Sequence, residues 1–129
     1  IAAAKIKLGL QKKLKLGNIE SLRDWGYAKD YVYAMWLMLQ QDSPDDYVIS
    51  TGEMVSVRDF AEYVFEHAGL GPASDYIEID SRLFRPHEVP LLIGNSKKAE
   101  KKLKWQPKVD VKQLAKIMYN HDLQRLTKE

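Results

Sequence analysis

Two arginines stand where a bare guanidinium is costly. Arg23 lies in Ser21-Leu22-Arg23-Asp24-Trp25-Gly26, read as a short turn ahead of an apolar run from Tyr27 to Gln41. Arg85 lies in Phe84-Arg85-Pro86-His87-Glu88-Val89-Pro90, beside Leu91-Leu92-Ile93. A permanent charge next to a hydrophobic element needs an anion to pair with it. For Arg23 that anion is either a carboxylate of Asp24, Asp30 or Asp110, or a phosphate gripped at the rim of a cleft. Arg85 carries the same two readings. Glu88, three residues on, either neutralises Arg85 or accepts hydrogen bonds from sugar hydroxyls. Trp25 either packs in the core or lines the cleft beside Arg23. Taken together, the two arginines are expected to form a diphosphate clamp, each charged hydrogen bond worth roughly 1.5–3 kcal/mol.

Other chemistries find little support. The glycine pair Gly69-Leu70-Gly71 follows a helical stretch and reads as a helix stop, not as the glycine-rich turn between strand and helix that a dinucleotide needs. His67, His87 and His121 have no paired spacing for a metal. There are no cysteines, which excludes disulfides and thiolate chemistry and fits a reducing, cytoplasmic setting. With 20 basic against 18 acidic side chains the net charge is +2, too balanced to imply a nucleic-acid or membrane partner. The longest apolar stretch, Val32 to Leu39, is far short of the ~20 residues a bilayer requires. The lysines Lys97, Lys98, Lys101, Lys102 and Lys104 read as a solvated helix face, with a basic interaction module as the alternative.

The elements that must position these residues follow from periodicity and capping. Ile6, Leu10 and Leu14 at four-residue spacing predict a helix over 1–14, with an extended piece at Leu14–Leu16 and a break at Gly17-Asn18. Tyr27–Gln41 predicts a second helix with so little polar face that it, and Trp36 with it, belongs at the centre of the core. Tyr47-Val48-Ile49-Ser50 reads as a strand. Ser56 with Asp59 caps a third helix that stops at Gly69, and Tyr76–Ile79 alternates like a strand. The prolines make Phe84–Pro90 a rigid loop. Asn95 or Ser96 caps the lysine helix, Trp105 anchors it, and Asp110 with Gln113 caps a last helix to about Leu126. No linker or repeat divides residues 1–129, so a single lobe of mixed α/β, helix-rich architecture is expected. The uncapped helical opening reads as part of something longer.

Arg23-Asp24-Trp25, Phe84-Arg85-Pro86-His87-Glu88-Val89 and Lys98-Ala99-Glu100-Lys101-Lys102-Leu103-Lys104-Trp105-Gln106-Pro107, in this order, carry a resemblance. So do Ala28-Lys29-Asp30-Tyr31-Val32, Ala34-Met35-Trp36-Leu37 and Thr51-Gly52-Glu53. The chain resembles the C-terminal part of the GDP-mannose 4,6-dehydratases, within the extended short-chain dehydrogenase/reductase family. The resemblance implies a nucleotide-sugar-binding lobe lacking the Rossmann half that would hold NADP. It also implies GDP-mannose as ligand, with Arg23 and Arg85 on the diphosphate, and a parent enzyme that is a homodimer or homotetramer. In the parent, the sugar would be oxidised at C4, dehydrated across C5 and C6, and reduced at C6. The catalytic Tyr-x-x-x-Lys is missing from this chain, because none of the seven tyrosines has a lysine four residues later. The lobe alone is therefore expected to be inactive.

Overall fold

The structure, a computed structural model, describes residues 1–128. In chain order it runs α1 (Ala2–Lys7), β1 (Leu14–Leu16), β2 (Leu22–Asp24), α2 (Ala28–Leu39), β3 (Met54–Ser56) and α3 (Val57–Ala68). Then follow β4 (Ile77–Ile79), β5 (Leu91–Leu92), α4 (Lys97–Leu103) and α5 (Val111–Lys128), with single 3-10 turns at Ala73–Asp75 and Ser81–Leu83. Mixed α/β with more helix than sheet is the observed architecture.

Capping chemistry sets several of these limits. Ser56 Oγ accepts the Asp59 N–H at 3.0 Å and starts α3, and Gly69 ends it in the left-handed conformation, φ 65°. Asp110 and Gln113 bond each other's backbone N–H reciprocally ahead of α5. Asn95 Oδ1 accepts the Lys97 N–H at the start of α4.

Helix α1 is half as long as its leucine spacing predicts. It stops at Lys7 because Gly9 turns left-handed at φ 73°, earlier than the Gly17-Asn18 break. The Arg23 segment is also not a turn. It is β2, the middle strand of a three-stranded sheet, antiparallel to β3 and parallel to β5. A separate pair, β1 with β4, runs parallel. Tyr47–Ser50 belongs to neither sheet, and its backbone makes no hydrogen bond among the described residues. β-propensity alone does not make a strand when no backbone pairs with it, even with Gly94 packed close against Val48 and Ser50.

Two cores hold the chain together. The larger joins Ala3, Ala4 and Ile6 of α1 to Ala61, Phe65 and Ala68 of α3 and Tyr119 of α5. The smaller joins Ala34 of α2 to Ala99 and Leu103 of α4 and to Trp105, 1% exposed. Trp105 is the anchor its position predicts, and its Nε1–H donates to the Asp30 carbonyl at 2.9 Å.

The expectation for α2 is overturned. Only Asp30 and Ala34 are buried, while Val32, Met35, Trp36 and Leu39 are exposed, Trp36 by 53% and Leu39 by 83%. The helix is apolar nearly all round, but α4 and Trp105 cover a single face of it. Trp36 stacks on Tyr33, ring centroids 5.8 Å apart, instead of entering the core.

Asp30 ties α2 to the α4–α5 link. Its Oδ2 accepts the N–H groups of Lys108 (2.9 Å) and Val109 (3.1 Å). Replacing Asp30 with Ala leaves both donors unpaired in a part-buried site and is expected to lower stability by about 2–3 kcal/mol. Asp30→Asn keeps one acceptor oxygen and is expected to lose less. Urea unfolding with an unchanged m-value checks the ranking.

Candidate functional site

The position of Arg23 is set by strand pairing. In β2 it lies opposite Val55 of β3 and Leu92 of β5. The parallel β2–β5 ladder, with the Leu22 N–H on the Pro90 carbonyl at 3.1 Å, brings the end of the Phe84–Pro90 loop against Arg23. Arg23 Nη1 donates to the carbonyls of Leu22 (2.7 Å) and Val89 (2.9 Å), and Nη2 donates to Glu88 Oε1 at 2.8 Å. This ion pair is half-buried, with the Arg23 side chain 23% and the Glu88 side chain 20% exposed.

None of the three aspartates expected for Arg23 takes it. Asp24 Oδ1 accepts the Thr51 N–H (2.9 Å) and hydroxyl (2.6 Å), and its Oδ2 accepts the Gly52 N–H (2.9 Å). Asp30 holds Lys108 and Val109, and Asp110 caps α5. Glu88 does not neutralise Arg85 either. It crosses to Arg23, and Glu88 Oε2 has no hydrogen-bond partner among the described residues. Arg85 itself is exposed, and no ion pair or hydrogen bond among the described residues engages it.

Arg23, Trp25, Arg85 and Glu88 line one open groove of about 260 Å³, together with Gly17, Asn18 and Leu83. Trp25 is half-buried at the groove and belongs to neither core. Its ring stacks on Phe60 of α3 at 4.6 Å and 12°, its Nε1–H donates to the Val55 carbonyl at 2.9 Å, and one side of it borders the groove. With its single N–H used, Trp25 is an apolar wall. The Ser21 hydroxyl, which also lines the groove, is buried without a partner.

The donor count of the guanidinium shows what remains for a ligand. Arg carries five N–H groups, and Arg23 commits both on Nη1 and one on Nη2. Its Nε–H and second Nη2–H have no partner among the described residues, and Arg85 offers all five. The groove therefore presents an array of charged donors beside one free carboxylate oxygen, suited to a phosphorylated ligand with hydroxyls.

The role of Asp24 as organiser of Thr51 and Gly52 is a site feature that sequence reasoning missed. The signal was present, since a Thr-Gly turn offers adjacent unpaired N–H groups that a nearby carboxylate can take. Two of the five lysines on and beside α4 are engaged by one carboxylate. Lys98 and Lys102 both bond Asp45, at 2.6 and 2.8 Å, and hydrogen bonds from Lys102, then Lys98, hold the Asp45 carboxyl well below the usual carboxylate range. No group of metal-binding side chains occurs among the described residues, nor is any helix long and apolar enough to cross a membrane.

The fold is that of the extended short-chain dehydrogenase/reductase enzymes, of which this chain matches part. RMD from Pseudomonas aeruginosa, solved with NADPH, superposes with a TM-score of 0.84 at 22% identity, over 95% of this chain and 40% of that one. A UDP-glucose 4-epimerase from Thermotoga maritima, solved with UDP-glucose, gives 0.75 at 25% identity, over 98% and 38%. The family model described as GDP-mannose 4,6 dehydratase matches residues 1–118, and the chain belongs to that family. GDP-mannose 4,6 dehydratase 1 of Arabidopsis thaliana is 51% identical over 128 residues, covering 99% of this chain and 35% of the relative. The human GDP-mannose 4,6 dehydratase is 42% identical over 139 residues, covering 95% and 37%. The chain thus spans about a third of the length of the curated relatives it matches.

Tyr31 of α2 borders a second groove shared with Arg23 and Asp24. Burial, then the charges of Asp24 and Asp30, push the Tyr31 phenol above its ordinary value. The folded state favours the neutral phenol, so this contribution to stability is complete below pH ~10 and lost as pH rises through the folded value. Tyr119 is also raised, by burial alone. Phenolate absorbance against pH is expected to show two late-titrating tyrosines. Tyr31→Phe removes one, and Asp24→Asn brings that same one earlier while leaving Tyr119 in place.

Proposed function

We propose that the chain is the nucleotide-sugar-binding part of a GDP-mannose 4,6-dehydratase. Arg23 and Arg85 grip the diphosphate of GDP-mannose, Glu88 Oε2 accepts sugar hydroxyls, and Trp25 walls the groove. The observation that carries this reading is Arg85: an unpaired guanidinium on the same groove as Arg23, whose own spare N–H groups remain open. Family membership supports the choice of ligand.

The chemistry belongs elsewhere in the longer protein. Oxidation at C4 acidifies the C5 proton and makes loss of water feasible, with NADP as the hydride carrier. This lobe leaves that cofactor to the Rossmann half and contributes position alone. Position matters, because a hexose displaced by about 1 Å can lose ~100-fold in rate. Two features support the reading that the Rossmann half packs against this lobe. The outer face of α2 is apolar and exposed, and Tyr47–Ser50 makes no backbone hydrogen bond among the described residues. The complete enzyme would assemble as a homodimer or homotetramer.

The test joins this chain to the remaining part of the Arabidopsis relative, in place of the matching segment, and measures binding by calorimetry. Arg85→Ala is expected to weaken GDP-mannose by about 10- to 100-fold, the loss of one or two charged hydrogen bonds, with NADP affinity unchanged. Equal GDP-mannose affinity in the variant would overturn the clamp. Tighter binding of UDP-sugars than of GDP-mannose would move the chain to another nucleotide-sugar enzyme.

A further inference from the structure

The Arg23–Glu88 pair places a carboxylate where a diphosphate must approach. Glu88 Oε1 is 2.8 Å from Arg23 Nη2, and both side chains line the groove that Arg85 borders. A diphosphate bonded to the remaining Arg23 donors puts negative oxygens within a few ångströms of this carboxylate. Like charges at that distance in a half-buried site repel appreciably. With Arg23 already countered by Glu88, the net positive charge facing the ligand is that of Arg85 alone. A site built only for phosphate affinity would carry no such residue.

The second oxygen of Glu88 explains what the carboxylate gains. Oε2 has no partner among the described residues and is an acceptor for O–H donors. We propose that Glu88 is a specificity-determining residue: its charge penalises any bare diphosphate, and hydroxyls bonding Oε2 recover that loss for a nucleoside-diphosphate sugar. Selectivity then comes from a repulsive group set against the commoner wrong ligand. Inorganic pyrophosphate and nucleotides presenting phosphate without a reachable hydroxyl are the ligands rejected. The inference deepens the reading of the groove as a nucleotide-sugar site and rests on it.

Glu88→Gln tests it. The carboxamide oxygen still accepts from Arg23, so the loop keeps its tether while the charge is removed, and circular dichroism checks the fold. In the joined protein, inorganic pyrophosphate and GDP-mannose are titrated by calorimetry against wild type and Glu88→Gln. Pyrophosphate is expected to bind on the order of 10-fold more tightly to the variant. GDP-mannose is expected to gain less than pyrophosphate or to weaken, so that the preference between the two shrinks. Pyrophosphate affinity that is unchanged or lower in Glu88→Gln overturns the inference, as does an equal gain for both ligands. In those cases GDP-mannose still binds the wild type and the groove assignment stands. Failure of both ligands to bind either protein removes the groove assignment and the inference together.

Discussion

A guanidinium held in the middle of a small sheet cannot be left without acceptors, and meeting that need organises the region around it. Arg23 finds two carbonyls and a carboxylate, and two of the three acceptors come from the segment just before β5. The parallel ladder between β2 and β5 brings them there. Strand pairing, loop placement and the ion pair are therefore one constraint. The same constraint leaves Arg85, earlier on that loop, at the edge of the groove. The groove is a by-product of satisfying Arg23.

The rest of the molecule divides into the two cores. The first packs helices α1, α3 and α5 through alanines and Phe65, where small side chains let the helices approach closely. The second is smaller and depends on Trp105 and on Asp30, a buried carboxylate whose Oδ2 is filled by backbone donors. Trp25 links the sheet to α3 through Phe60, so the groove wall is continuous with the helical body. Rigidity at the wall is what a positioning site needs.

Features coded by neighbours in sequence were legible, and those coded by distant neighbours were not. Ser56–Asp59, Asp110–Gln113 and Gly69 each act within four residues, and each marks its helix end. Trp105 was readable as an anchor because a large apolar ring after a lysine-rich helix has nowhere else to go. Arg23 was readable as a charge that needs a partner. The partner, 65 residues away, was not: the carboxylates considered were Asp24, Asp30 and Asp110, and nothing local announces a parallel ladder. The helix α2 failed for a related reason. Apolar composition says that a surface tends to be covered, and does not say whether the covering atoms belong to these 129 residues. Tyr47–Ser50 has the composition of a strand and lacks the backbone pairing among the described residues that would make it one.

Asp24 joins the Arg23 strand to a segment outside the sheet. It follows Arg23 directly on β2, and its two oxygens hold the Thr51 hydroxyl and the N–H groups of Thr51 and Gly52. Without that carboxylate, two backbone N–H groups and a hydroxyl would lose their shared acceptor. Thr51 borders a different hollow, shared with Pro107, Lys108 and the start of α5. The short strand that carries Arg23 thus also fixes the rim of that neighbouring hollow, through the carboxylate of the very next residue.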